Sequence, residues 1–409
     1  MRILHTADWH LGKNLERISR IDEQRQFVDY LCQLVDKEKI DLVLIGGDIY
    51  DTYNPPACAE ELFYYAIDKL SNDGKRAVVV IAGNHDNPDR LEAIAPLACK
   101  NGIFILGYPK TDISQYKDNC GDIKIVNGGE GFIELQIPGC EHNVVLLTLP
   151  YPSEARLEEV LDGKADETII RRAYSEKIGY MLDDLSKNFR QDTVNVVLGH
   201  IFLMGGKESD SERTIQVGGA MTVDVTSLPK NAHFVALGHL HRPQEIKNEY
   251  CPVFYGGSPL AYSFSEANYS KAVYIADVIP GQACDIKPIY LDCGKPLIKW
   301  CAKDGIAEAI KWCEDNKDCD AWIDLEICTD RLLTQEEQKT IRDLHKGIVN
   351  IRPRLLNEVQ ADADFENREQ KKIDEIFKEY YKYRTQTEVS QEIMEIFLNL
   401  INDQEEVEK

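Results

Sequence analysis

Five short apolar runs in this chain each give way, within about three residues, to a side chain able to hold a metal ion. Ile3-Leu4 leads to Asp8 and His10, Leu42 to Ile45 leads to Asp48, and Val78 to Ala82 leads to Asn84-His85. Val194 to Leu198 leads to His200, and Phe234 to Leu237 leads to His239 and His241. A buried parallel strand reads as a short apolar run, and ligands of open α/β sheets gather beyond the carboxyl ends of the strands. The pattern therefore predicts an α/β fold in which two carboxylates, an amide and up to five imidazoles meet on one rim.

The chain is long enough, at 409 residues, for two or three domains. With 43% hydrophobic and 29% charged residues it has the composition of a globular protein, and no apolar stretch approaches the ~20 residues needed to span a bilayer. Met1-Arg2-Ile3-Leu4-His5 turns polar too soon for a secretory signal. Twelve cysteines without a CxxC pair read as reduced thiols, so a cytoplasmic location without membrane attachment is expected.

The formal charge of −23 repels polyanions over most of the surface. Any nucleic-acid contact must then be local, supplied by bound cations, by a basic partner or by the cluster Lys13, Arg17, Arg20 and Arg25.

Residues 1 to about 280 alternate apolar runs with helical patterns, as a layered α/β domain does. Phe27, Tyr30, Leu31, Leu34 and Val35 predict a helix between the first two strands. Val144 to Leu149, Val253 to Tyr255 and Ala272 to Val278 come without long helices between them and suggest mixed sheet, so two stacked sheets are expected. A smaller α/β unit follows over 281–356: a helix near Ile306 to Cys313, a strand at Ala321 to Cys328, a helix opened by the capping-box pattern Thr334-x-x-Glu337, and a strand at Ile348 to Arg352. In 357–409, Ile373, Ile376, Phe377, Tyr380 and Tyr381 mark one amphipathic helix. Val389, Ile393, Ile396, Phe397, Leu400 and Ile401 mark a second. Their apolar faces fit either the protein's own body or a partner helix.

Two divalent ions ~3.5 to 4 Å apart can clamp the attacking and leaving oxygens of a phosphoryl transfer and generate hydroxide at neutral pH. Such a site needs one bridging carboxylate, and Asp48, approached through Gly46-Gly47, suits that place. Asp8 with His10, and His239 with His241, are spaced two apart and project to one side of an extended segment. Mixed oxygen and nitrogen donors fit Mn, Fe or Zn better than Ca. Glycine precedes Asp48, Asn84, His200 and His239, as expected where backbone turns sharply beside an ion. One histidine after one strand is an ordinary hydrogen-bonded residue; five coincidences at strand ends have no such simple account. His5, His142, His233 and His345 lie outside the pattern and read as structural or surface residues. Gly205-Gly206-Lys207-Glu208 lacks the leading glycine and final hydroxyl of a P-loop, so no ATP site is expected.

Taken in order, Asp8-x-His10, Gly47-Asp48-x-x-Asp51, Gly83-Asn84-His85-Asp86, His200 and Gly238-His239-x-His241 resemble the calcineurin-like metallophosphoesterase family over roughly the first 240 residues. Asp8-Trp9-His10-Leu11-Gly12, Glu212-Arg213, Gly238-His239-Leu240-His241-Arg242-Pro243 and Gly256-Gly257-Ser258-Pro259-Leu260 narrow the likeness to the nucleases of that family that process DNA ends. The resemblance implies a two-sheet sandwich flanked by helices, a small α/β capping domain, and terminal helices that bind the coiled-coil root of an ATPase subunit. It implies two ions, with manganese as activator. One is held by Asp8, His10, Asp48 and His241, the other by Asp48, Asn84, His200 and His239. His85 then acts on the phosphate or leaving oxygen, oriented by Asp51. The implied substrate is DNA, cut as a 3′ to 5′ exonuclease on duplex ends and as an endonuclease on single strands and hairpins, by a homodimer within a heterotetramer. A phosphodiesterase acting on nucleotides or other small phosphoesters is the competing expectation.

Overall fold

The computed structural model describes residues 1–116, 120–157, 167–209, 211–212, 221–355 and 394. The chain forms two compact units, one of residues 1–299 with 320–323, the other of 300–319 and the residues from 324 on.

In the first unit the chain lays down β1 (Arg2–Thr6), β2 (Leu42–Ile45), β3 (Ala77–Ile81) and β4 (Ile103–Leu106), with α1 (Ile21–Lys37) and α2 (Ala57–Ser71) between the early strands. It then builds a second sheet from β5 (Lys124–Gly129), β6 (Phe132–Gln136), β7 (Val144–Leu149), β8 (Val194–His200), β9 (Phe234–Gly238), β10 (Gln244–Ile246) and β11 (Val253–Tyr255), with α3 (Glu167–Leu185) before β8. Finally β12 (Ala272–Asp277) and β13 (Asp285–Tyr290) return to the first sheet. The sheet orders are β13-β12-β1-β2-β3-β4 and β10-β11-β9-β8-β7-β6-β5. β1 to β4 run parallel, as do β7, β8, β9 and β11; the remaining strands pair antiparallel, which is the mixed sheet expected.

Alternation along the strands explains the layers, because successive side chains point to opposite faces. Ile3, Leu42, Leu44, Val79 and Ile81 meet Ile133, Leu135, Leu146, Val196 and Leu198 between the sheets. Leu4, Val43, Ile45 and Val80 face the other way, onto Phe27 and Leu31 of α1 and Leu62 and Phe63 of α2. On the far side Leu147, Val197 and Val235 pack on Tyr174, Ile178 and Leu182 of α3. The result is a helix–sheet–sheet–helix sandwich. Both faces of the central strands are covered, hence their unbroken apolar runs. Each buried Leu or Val contributes about 1.5 to 3 kcal/mol, so the strands are a rigid base for the loops at their ends.

The second unit is built on a three-stranded sheet, β14 (Leu297–Ala302), β15 (Trp322–Thr329) and β16 (Ile348–Leu355) in that order, with α4 (Ile306–Asp315) and α5 (Gln335–Leu344). Thr334 caps α5: its hydroxyl accepts from Glu337 N at 3.2 Å, and Glu337 Oε2 accepts from Thr334 N at 2.8 Å.

Two sequence expectations meet a limit here. The first sheet continues past residue 280, because β13 pairs with β12, Ile289 opposite Val273. Asp285–Tyr290 is a mostly polar edge strand containing Pro288, and an edge strand with proline gives no apolar run to read. The two amphipathic helices expected in 357–409 lie outside the described residues. Among the described residues no helix is long and apolar enough to cross a membrane.

Candidate metal centre

The loops after β1 and β2 continue to pair once the strands end. Asp8 N donates to Gly47 O and His10 N to Asp48 O, both at 3.0 Å, which brings the first two motifs side by side. Asp8, His10, Asp48 and His239 have φ of 52°, 45°, 48° and 104°, half of the eight positive-φ non-glycine residues described. Such backbone costs on the order of 1 to 3 kcal/mol per residue and persists where surrounding structure enforces it, typically at functional sites.

Two of the glycines before the proposed ligands, Gly83 and Gly238, have a different origin from the one expected. Gly47 alone of the four adopts positive φ, 93°. A Cβ on Gly83 would fall 2.1 Å from Asp48 Oδ1, and one on Gly238 would fall 2.0 Å from Gly46 O. Close approach of one loop to the next, rather than a turn, excludes a side chain there.

Two groups of donors result. In one, His10 Nε2 faces His241 Nε2 at 2.9 Å and lies 3.7 Å from Asp48 Oδ2, and Asp8 joins His10 and Asp48 with ligand atoms within 4.8 Å of one another. In the other, Asn84 Oδ1 is 2.9 Å from His200 Nε2 and 3.1 Å from His239 Nδ1, and His200 Nε2 is 3.5 Å from Asp48 Oδ2. Asp48 belongs to both. His85 is beside them, its backbone N on Asp48 Oδ1 at 2.8 Å. Its ring Nδ1 donates to the main-chain carbonyl of Asp51 at 2.7 Å, while the Asp51 carboxylate takes Lys13 Nζ at 2.8 Å. The contact between Asp51 and His85 is therefore through backbone.

The electrostatics favour a cation. Burial pushes the Asp8 carboxyl well up, and its Oδ2 is buried without a hydrogen-bond partner, as is His10 Nδ1. Burial also works to raise Asp48, but the charge and hydrogen bond of His200, then His85 and His10, outweigh it and hold Asp48 well below the carboxylate range. Burial works against charge on His200, yet the reciprocal effect of Asp48 lifts that ring to about 9, a sign that the Asp48 field stabilises positive charge at this place. Burial, then neighbouring positive groups, drives His10 and His241 well down and His239 to about 3, so their rings are neutral donors. An orphaned buried carboxylate oxygen, neutral imidazoles and an amide oxygen fit divalent ions of the Mn, Fe or Zn type.

Several supports were not singled out from sequence. Asp86 accepts from Ile49 N at 3.1 Å, Tyr50 N at 3.0 Å and Gly83 N at 2.8 Å, tying the second loop to the third. Gln24 Nε2 donates to His10 O at 2.9 Å, and Tyr262 OH donates to Trp9 O, bracing the first loop from α1 and from far along the chain. Ser211 Oγ is 2.5 Å from His241 Nδ1, and Gly46 O accepts from His200 Nδ1 at 2.8 Å, which leaves Nε2 of each ring facing the centre. Lys271, Glu266 and Ser258 form a buried polar cluster under His241 O. Of the basic cluster, Arg20 is buried against Glu23 at 2.5 and 2.8 Å and is not available to a polyanion, whereas Arg17 and Arg25 are exposed.

Residues 1–243 match the family described as calcineurin-like phosphoesterase. The chain belongs to the calcineurin-like phosphoesterase family. Residues 293–385 match a second description, the type 5 capsule protein repressor C-terminal domain. Within this phosphoesterase family the chain is 44% identical over 407 residues to SbcD of the SbcCD nuclease from Bacillus subtilis, covering 99% of both chains. It is 33% identical to SbcD of the SbcCD nuclease from Staphylococcus epidermidis, over 68% of this chain and 66% of that one. Among solved structures, a dimetal phosphatase from Danio rerio is 12% identical with a TM-score of 0.41, over 70% of this chain and 95% of that one.

Proposed function

We propose that this phosphoesterase is the Mn-dependent nuclease component of an SbcCD-type complex, hydrolysing DNA phosphodiesters in repair, recombination and replication in the cytoplasm. The observation that carries the reading is the meeting of both donor groups on Asp48, from the ends of five separate strands. One ion would be held by Asp8, His10, Asp48 and His241, the second by Asp48, Asn84, His200 and His239. Bound there, the ions would supply Lewis-acid charge to the phosphate and make a water acidic enough to attack at neutral pH.

The chain's own residues do the rest. The His85 ring, fixed through Nδ1 by the Asp51 carbonyl and grouped with His10 and Asp51, would give a proton from its other nitrogen to the departing sugar oxygen. Asp51 and Lys13 close the same side of the centre. Neutral His10, His239 and His241 donate lone pairs rather than protons.

The first unit, which carries its sheet past the expected boundary at 280 to Tyr290, serves as nuclease domain, the smaller unit that follows up to 356 as a capping domain, and 357–409 as helices that bind an SbcC-type coiled-coil ATPase, with two copies of each protein in a heterotetramer. The activities are 3′ to 5′ exonuclease on duplex ends and endonuclease on single strands and hairpins. A net charge of −23 favours a second reading, a phosphodiesterase for small phosphoesters. With manganese, cleavage of labelled hairpin DNA is expected alongside hydrolysis of bis-p-nitrophenyl phosphate; hydrolysis of the small ester alone would select the second reading. A chain ending at Leu356 should lose co-purification with the ATPase, and its retention would remove the proposed role of 357–409.

A further inference from the structure

Arg156 is placed oddly for a residue no motif contains. It follows β7 by seven positions, on the second sheet, yet its guanidinium reaches the loop that ends β3 on the first. Nη1 donates to Gly83 O at 2.8 Å and Nη2 to Asp86 O at 2.7 Å, so one planar fork spans the carbonyls on either side of Asn84-His85. The guanidinium carbon lies 5.5 Å from the Tyr151 ring centroid. Tyr151 in turn presents its ring edge-on to His200, centroids 6.2 Å apart, and its backbone N donates to Ala82 O at 2.9 Å. One arginine and one tyrosine thus connect the Asn84-His85 turn to His200 across the two sheets.

A guanidinium suits this task better than an ammonium, because its rigid fork offers two parallel donors at fixed separation and a flat face for an aromatic ring. The carbonyls it satisfies are those that set the direction of the intervening turn. Asp86 pulls on the same turn through its side chain, toward the second loop, while Arg156 holds the main chain from the opposite sheet. The Asp8, His10 and His241 group is braced by other residues, Gln24, Tyr262 and Ser211.

We propose that Arg156 is a positioning residue for one half of the centre: by clamping Gly83 O and Asp86 O it fixes Asn84 and His85, and so sets the affinity for the second ion alone. The inference rests on the two-ion reading above. Loss of a support behind metal ligands weakens binding by about 10- to 100-fold, and here that loss falls on one of two sites.

The test is manganese binding to the full-length chain, by calorimetry and by the electron paramagnetic resonance of a spin-coupled ion pair, for the wild type, R156A and R156K. Expected for R156A are a first ion bound as in wild type, a second bound about 10- to 100-fold more weakly, a diminished coupled-pair signal, and partial recovery of both with methylguanidinium. R156K, with a single point donor, should lie between. Equal weakening of both ions would mean general destabilisation and overturn the proposal, as would wild-type binding of both ions by folded R156A. If R156A does not fold, the same criteria are applied to R156K. A wild type that binds a single ion fails the two-ion reading itself, which separates that failure from this one.

Discussion

Asp48 and His200 form the pair on which the centre's charge balance turns. The carboxylate is fully buried, yet the imidazoles around it keep it ionised, and it favours positive charge at His200 in return. A divalent cation meets the same demand with the proton displaced. Single-residue changes should separate ion holding from chemistry. H85Q removes the group proposed to protonate the leaving oxygen but leaves every proposed ligand in place. Cleavage of hairpin DNA should fall by at least ~100-fold while elemental analysis finds manganese stoichiometry unchanged; an active H85Q enzyme would remove His85 from the mechanism. G83A does the opposite. The added methyl would lie 2.1 Å from Asp48 Oδ1 and 2.3 Å from Asp48 N, so Asp48 must move, with a penalty of about 1 to 3 kcal/mol. Weaker manganese binding and a lower Tm are expected together, and a G83A protein matching wild type in both would show that the loop has slack. The ligand types and their spacing were legible because each is chemically distinctive. Arg156, Gln24 and Tyr262 were not, since their partners are main-chain carbonyls, which leave no mark on sequence.

Among the elements, the central strands were legible and the edges less so. β1, β2, β3, β8 and β9 are covered on both faces and carry apolar runs, while β13 and the β5–β6 hairpin are at sheet edges with polar residues facing out. The strand next to one edge predicts a pH effect. On β6, the buried Glu134 accepts from Arg190 at 2.6 and 3.0 Å and from Asn143 at 2.8 Å. Arg190, against the opposing effect of burial, lowers its pKa below the ordinary 4.5. Because the folded value lies below the unfolded one, the stabilisation is present above about pH 4.5 and is lost as pH falls through the folded value. R190A should therefore flatten the decline in unfolding free energy as pH falls below about 4.5, measured by urea denaturation. Parallel curves for R190A and wild type would contradict this. Arg190 is 43% exposed in its side chain, so solvent screening keeps the effect modest.

For the molecule as a whole, an acidic surface surrounds an interior that concentrates lone pairs. Ions that bind the folded chain and not the unfolded one stabilise by mass action, about 2.7 kcal/mol per site at a hundredfold excess over Kd. Manganese should raise the Tm by several degrees over an EDTA-treated sample, with calcium giving less because imidazole donors suit it poorly. An identical Tm with manganese and with EDTA would count against any tight ion at this rim. DNA cleavage should fall steeply with added salt if the exposed Arg17 and Arg25 supply the phosphate contacts.

By itself the sequence determined the layered α/β class, the strands that carry the rim and the donors that end them, because burial on two faces and metal-ligand chemistry both restrict residue type position by position. Only the tertiary structure decided that Asp48 lies within reach of both donor groups, that Asp51 meets His85 through its backbone, and that Arg20 is withdrawn from the surface. Those outcomes depend on how loops from strands far apart in the chain approach one another, and the contacts that fix that approach run largely through main-chain atoms every residue shares.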